Sequence, residues 1–343
     1  MKKIIFNIII ILLLFNKIIN SIIKIKEKNE IFGNNPIKIL SNKKNAILGI
    51  IVKYSWKKIL PFIKSVLQAN FNNCDIIMFI SGLSQSVINN LKSFGVKIYN
   101  LPIQFNDVGQ IYTERWKIYL DFLNNNKDKY NLILSVDVKD TIFQREFFSL
   151  YENYEQFLGF SLEELTIDNS IYKYMIKELF GIDSLNQIKN KRIINAGTIW
   201  GTINSFIKFS SILYNKLLLI SSISNDQSII NYLIYYENIL SNCLIINSDG
   251  YGSVMTLGLT KRNNIRLDNE NNILNYDGQV ASIIHQYDRH PHLKKIIIEK
   301  FCPELINFKI IIKFFIFLYL FIIVLYIKSI IFLFKIKRLK NTS

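Results

Sequence analysis

The chain has 343 residues, half of them hydrophobic, and carries 42 Lys and Arg against 26 Asp and Glu, for a formal net charge of +16. That length allows one large domain or two small ones with ample core. The charge alone does not make a nucleic-acid binder, because the lysines are scattered rather than interleaved with aromatics along one stripe. Ile, Lys and Asn also share A/T-rich codons, so no nucleic-acid partner is expected.

Lys2 and Lys3 precede an apolar run over 4–15 that is interrupted only by Asn7. The run has the length of a signal-peptide h-region and falls short of the ~20 residues of a spanning helix. No clear small-residue cleavage site follows, so an uncleaved anchor through Ile23 is the alternative. Residues 1–24 are read as signal peptide or signal anchor and 25–45 as a stem.

From Ala46 onward, short strands and helices alternate. The run "AILGIIV" (46–52) is the continuous β-branched pattern of a strand covered on both faces. Apolar residues at helical spacing follow over 56–70, with Pro61 in the early part. A strand is predicted at 74–81, then a helix over 84–95 capped by Ser84 and closed by Gly95. A third strand (96–102), a helix (112–127) and a fourth strand (130–136) complete the series. Such alternation predicts parallel pairing in an α/β fold. In such sheets ligands bind beyond the carboxyl ends of the strands.

The fourth strand runs straight into Asp137 and Asp140, with Lys139 between them, in "SVDVKDTIFQ" (135–144). The segment 148–191 is expected to be helical and less regular, as an insertion or substrate-side subdomain. "NAGTIWGT" (195–202) reads as a strand punctuated by small residues. "NDQSIINYLIYY" (225–236) reads as a helix opened by an acid–amide pair that Asn225 caps, and "SIIHQYDRHP" (282–291) as an apolar strand ending in His285. The region 46–304 is read as a single domain. Cys74, Cys243 and Cys302 permit at most one internal disulfide and form no close-spaced metal motif.

Nearly every residue over 310–334 is aliphatic or aromatic, with Lys313 and Lys328 near the ends. A transmembrane helix is expected over 308–334, followed by a basic cytosolic tail (335–343) carrying Lys335, Lys337, Arg338 and Lys340. Lys2 and Lys3 also stay cytosolic if the first segment remains as an anchor. The region between then faces the lumen of a secretory-pathway membrane, Golgi or endoplasmic reticulum. The sequon Asn341-Thr342-Ser343 falls in the cytosolic tail and is expected to be silent.

The acidic motif after the fourth strand, the Asn/Gly strand, the Asp-Gln helix start and the late histidine strand together resemble GT-A glycosyltransferases, which use nucleotide-diphospho-sugars. The stretch "YLDFL" before "YNLILSVDVKD" resembles one eukaryotic branch, whose acidic motif reads D-V-R-D followed by an apolar pair and Gln. The resemblance covers about residues 46–291 and is most specific at the acidic motif.

It implies a Rossmann-like, mixed but mainly parallel sheet flanked by helices. It also implies sugar transfer to a glycan, protein or lipid acceptor. Asp137, Asp140 and His285 would hold Mn²⁺ or Mg²⁺. Arg115, Asp137, Lys139, Asn195, Gly197 and Gln227 would bind the nucleotide-sugar, and Asp226 would act at the reacting centre. Carboxylate and imidazole suit such a metal, which acts as a Lewis acid on the diphosphate leaving group.

One departure stands out. The usual D-x-D places its second acid at the third position, which here is Lys139. Asp140 converges with Asp137 only if the chain turns sharply; otherwise Lys139 pairs with phosphate directly.

Each residue also has a plainer reading. A strand-end Asp is commonly a solvated turn, Asp226 a first-turn carboxylate, Gly197 a packing residue and Arg115 an exposed helix residue. His290 and His292 flank Pro291 and read as surface loop, whereas Asp288 and Arg289 can orient His285 or contact phosphate. A dehalogenase-type phosphatase needs its second acid at 139 and is set aside. An inactive GT-A-fold scaffold is the remaining alternative.

Overall fold

The computed structural model describes residues 43–102, 105, 108–220, 226–240 and 243–305, together with 316–319, 321–323 and 325. The expected signal segment, most of the stem, Asn225 and the sequon lie outside the described residues, as does most of 308–334. Among the described residues no helix is long and apolar enough to cross a membrane.

The first four strands follow the sequence reading. They are β1 (Lys44–Val52), β2 (Cys74–Ser81), β3 (Lys97–Asn100) and β4 (Tyr130–Val136). Between them run α1 (Trp56–Gln68), which continues through Pro61, α2 (Gln85–Ser93) and α3 (Val108–Asn124). Ser84 is the N-cap of α2, but its hydroxyl oxygen accepts no N–H from the helix end. Gly95 adopts φ +75° just past that helix, a conformation glycine takes at little cost.

Later elements depart further from expectation. The segment 148–191, expected to be helical, contributes the ten-residue strand β6 (Phe157–Thr166) as well as α4 (Tyr172–Ile188). An apolar run such as "FLGFSL" carries no period by which a buried strand can be told from a buried helix. β5 (Thr141–Phe143) lies just before that segment, and β7 (Arg192–Thr202), α5 (Ile203–Leu219) and α6 (Asp226–Tyr235) follow it. Then come β8 (Leu244–Ser248), β9 (Val254–Thr256), the short pair β10 (Arg266–Leu267) and β11 (Ile273–Leu274), β12 (Ile283–His285) and α7 (Pro291–Phe301).

Seven strands form the central sheet in the order β3-β2-β1-β4-β7-β6-β8. The β1–β2, β1–β4, β2–β3 and β6–β8 pairs are parallel, whereas β7 is antiparallel to both β4 and β6. The fold is thus mixed α/β with a mainly parallel sheet, compatible with a Rossmann-like arrangement.

The period-2 alternation of side chains sorts the core into two layers. Ala46, Leu48, Ile77, Phe79 and Ile133 pack with Trp116 and Tyr119 of α3 and Phe206 and Phe209 of α5. Ile47, Ile51, Met78, Ile80 and Leu134 pack with Ile59, Phe62 and Ile63 of α1 and Leu91 of α2. Gly159 is forced by a close approach, since a Cβ there would lie 2.0 Å from the indole of Trp200 on β7.

A second, three-stranded sheet in the order β5-β12-β9 sits at the end of β4. β12 is antiparallel to β5, pairing His285 with Thr141, and parallel to β9, pairing His285 with Thr256. The acidic motif leads from the central sheet into this small one. All three cysteines are free, so no disulfide forms among them.

Candidate metal centre and cleft

β4 delivers Asp137 to the carboxyl edge of the sheet, where its N–H donates to the carbonyl of Gly197 at 2.9 Å. The chain then turns. Val138 is buried in the layer under α1 and α2, so the residue between the charges is the anchor of the turn. Lys139 is left partly exposed, with its Nζ 3.3 Å from Asp288, and Asp140 swings back toward His285. The Asp140 carbonyl accepts the Gln286 N–H at 2.8 Å, which fixes the turn against β12.

Gln144, the last residue of the motif, ties the end of β5 to β11 and to the approach to β12. Its amide nitrogen donates to the carbonyls of Ile273 and Ala281 at 3.0 and 2.8 Å, and its oxygen accepts the Ile273 N–H at 2.7 Å.

This turn makes up for the displaced acid. One ligand atom from each of Asp137, Asp140 and His285 lies within 4.8 Å of the others. His285 is fully buried, and neither ring nitrogen has a hydrogen-bond partner. Its Nε2 stands 3.8 Å from Asp137 Oδ2 and 3.6 Å from Asp140 Oδ1, too far for hydrogen bonds. A buried imidazole without a partner is costly unless something bridges it to the carboxylates.

The space between them is kept open by Gly197. A Cβ there would lie 2.4 Å from His285 Cε1 and 2.6 Å from Asp137 Oδ2. An orphaned imidazole, two carboxylates and a position closed to any side chain fit a divalent cation. Gly197→Ala is expected to abolish high-affinity Mn²⁺ binding in calorimetry while a cooperative thermal transition persists. Unchanged affinity would contradict this account of the centre.

Arg115 is buried rather than exposed, and it joins the sequence-predicted acids. One guanidinium nitrogen donates to Asp137 Oδ1 at 3.2 Å; the other donates to the Ala196 carbonyl at 3.2 Å and to Asp226 Oδ2. Trp116 Nε1 donates to the same Asp226 oxygen at 2.9 Å. Asp226 thus lies buried behind Arg115, off the wall of the cleft. There it holds Arg115, and it does not line this cleft.

Asn195 and Gln227, expected to bind the donor, are likewise buried off the cleft wall. Their amides donate to Glu163 Oε1 at 2.8 and 2.7 Å. Their oxygens accept the N–H groups of Gly197 and Ala196 at 2.8 and 3.2 Å. Buried Glu163 therefore fixes both amide orientations, and through them the strand carrying Gly197. Sequence reasoning missed Glu163, because it stands beside Glu164 in a segment expected to be helical, and neither residue type nor spacing gives a sign of its partners.

The electrostatics follow from this geometry. The Asp137 side chain is about half exposed. The protein packed around it strips some of its hydration, yet His285 and Arg115 hold its carboxyl down to about 2. Burial likewise opposes the charge on His285, but Asp137 and Asp140 carry its pKa up to about 9. The Asp226 carboxyl is pushed up, chiefly by burial and against the pull of Arg115.

A cleft of about 420 Å³ opens beside the three candidate ligands. Lys53, Arg115, Lys139 and Arg289 supply its positive charge, and Tyr54, Tyr112, Phe105 and Ile111 line its apolar part. Burial, reinforced by Asp137 and Asp140, pushes the Tyr54 phenol up to about 12. His290, read as a surface loop residue, instead contacts the Leu257 carbonyl through Nε2 at 2.7 Å. No protein-family model matches this chain, and no curated protein matches it.

Proposed function

We propose that the protein is a metal-dependent glycosyltransferase that moves a sugar from a nucleotide-diphospho-sugar to a glycan, protein or lipid acceptor. On this reading the apolar segments at both ends tether the domain to a Golgi or endoplasmic-reticulum membrane, with 46–304 in the lumen. The observation that carries the chemical reading is the convergence of Asp137, Asp140 and His285 beside a cationic, aromatic cleft. The cleft has the volume of an ordinary small-ligand site.

In such a transfer the bond from the sugar carbon to the diphosphate oxygen breaks, and its electron pair leaves with the diphosphate. The acceptor hydroxyl oxygen bonds to that carbon, and its proton passes to the departing diphosphate. Mn²⁺ or Mg²⁺ held by Asp137, Asp140 and His285 would offset the charge gathering on the leaving group. Arg115 adds a fixed positive charge beside Asp137, prepositioned by Asp226 and Trp116. Lys139 and Arg289 stand on the cleft wall where further phosphate oxygens are neutralised, and Tyr54 and Tyr112 offer flat surfaces to a base.

His285 binds a metal only as neutral imidazole. Because its pKa lies near 9 without metal, Mn²⁺ binding at neutral pH is expected to release close to one proton and to tighten as pH rises toward that value. Calorimetry in two buffers of different ionisation heat measures this, and a zero proton count would contradict it. The functional reading itself is tested by screening nucleotide sugars for donor hydrolysis with Mn²⁺ and with a chelator. Metal-dependent release of a nucleoside diphosphate is expected. No turnover and no nucleotide binding across the panel would favour an inactive scaffold.

A further inference from the structure

Three observations away from the cleft point to one surface. The ammonium groups of Lys44, Lys97 and Lys129 converge on the buried carboxylate of Asp75, at 3.2, 2.5 and 3.7 Å. The Tyr130 hydroxyl donates to the same carboxylate at 2.8 Å. The three lysine side chains remain 40–45% exposed, so donors are left for another anion. One carboxylate balances one of the three cations, and the neighbouring Lys43–Asp128 pair is neutral. Lysines scattered along the sequence thus gather at the N-terminal ends of β1 to β4, the edge opposite Asp137.

The second observation is where the chain enters. Lys43, the first described residue, stands immediately before β1, at this same edge. The third is where it leaves. α7 begins two residues after Arg289 on the cleft wall, and beyond its end Glu304 pairs with Lys64 of α1 at 2.5 Å. α1 starts just after the cleft end of β1 and finishes just before β2, so it runs from the cleft edge toward the lysine edge. Only residues 306–309 separate Leu305 from the apolar stretch 310–334. A link of that length reaches no more than about 18 Å. If 310–334 sits in a bilayer, the Leu305 end of the domain lies close to the headgroups.

We propose that the pole carrying Lys44, Lys97 and Lys129 docks on an anionic phospholipid surface, leaving the edge with Asp137 turned away from the bilayer. The proposal rests on reading the terminal apolar stretches as membrane-embedded and requires anionic phospholipid in the leaflet that faces the domain. The docking is independent of the chemistry at Asp137, whereas its consequence for the acceptor also rests on the transferase reading. It also narrows the acceptor. β1 spans nine residues. At ~3.3 Å per residue the cleft then stands about 30 Å from the headgroups. An acceptor that projects that far, a glycan or a protein, reaches the cleft, and a lipid headgroup in the same bilayer does not.

The test is lysine acylation of the full-length chain in nanodiscs of phosphatidylcholine, with and without phosphatidylinositol, read by mass spectrometry. Labelling of Lys44, Lys97 and Lys129 is expected to slow about tenfold in the anionic discs, and high salt is expected to remove the difference. Lys177 and Lys261, exposed on other surfaces, should label equally in both discs. Lys129→Gln removes the ammonium most distant from Asp75 and leaves that carboxylate its other partners, so the fold is retained. It should weaken the protection of Lys44 and Lys97 several-fold. Equal labelling of the three lysines in both discs overturns the docking, as does protection of Lys177 and Lys261 instead. Failure of the chain to enter discs overturns the membrane premise, and leaves the metal reading to stand or fall by Mn²⁺ binding alone.

Discussion

Asp137→Asn is expected to abolish donor hydrolysis and to weaken Mn²⁺ binding by about a hundredfold or more, since it removes a ligand where outer-shell changes alone cost about ten- to a hundredfold. The remaining groups keep partners. Arg115 still has Asp226 and the Ala196 carbonyl, and His285 still faces Asp140. The fold is therefore retained, and loss of activity reports on the site.

The stability change has a definite pH signature. The Asp137 pKa is lowered from the usual 3.8 to about 2 in the folded protein. The carboxylate therefore contributes stability above the unfolded value, and that contribution is lost as pH falls through the folded one. The thermal midpoints of wild type and variant should differ at neutral pH and converge near the low end of that window. Full activity in the variant, or a gap that widens on acidification, would contradict the assignment.

Arg115→Met is expected to produce the larger loss of stability, about 3–5 kcal/mol, because it strands Asp226 as a buried, uncompensated charge. Both side chains of that pair are less than a tenth exposed, so solvent screens little of their interaction. Adding Asp226→Asn removes the stranded charge, while Trp116 Nε1 still finds an oxygen acceptor, and more than half of the loss should return. Urea unfolding of wild type, both single variants and the double variant measures the coupling. Strictly additive losses would show that Arg115 and Asp226 do not act as a unit.

The first half of the fold was legible because parallel strands buried on both faces leave unbroken apolar runs, and β1, β2 and β4 each have one. β6 was not, since its run has no distinguishing period and lies beside the helix-forming stretch of α4. β5 and β9 are three residues each, too short for any pattern, whereas β12, equally short, was readable from the apolar run that ends in His285. Of the candidate site, the acids and the histidine were readable as residue types at strand ends. The turn that unites them was not, because it depends on Val138 finding a core to enter. The partnership of Arg115 with Asp226 joins positions 111 residues apart, and that of Glu163 with Asn195 and Gln227 joins two further elements. Residue type marked Asn195 and Gln227 as notable, and only packing shows that they brace the strand of Gly197.

The central claim is that Asp137, Asp140 and His285 form a metal centre serving a diphosphate ligand. Calorimetric titration of UDP into the purified protein, with Mn²⁺ and again with a chelator, tests it most directly. The account predicts saturable UDP binding that requires Mn²⁺ and disappears in Asp140→Ala. UDP binding of equal strength in chelator, or none with Mn²⁺ present, would contradict it.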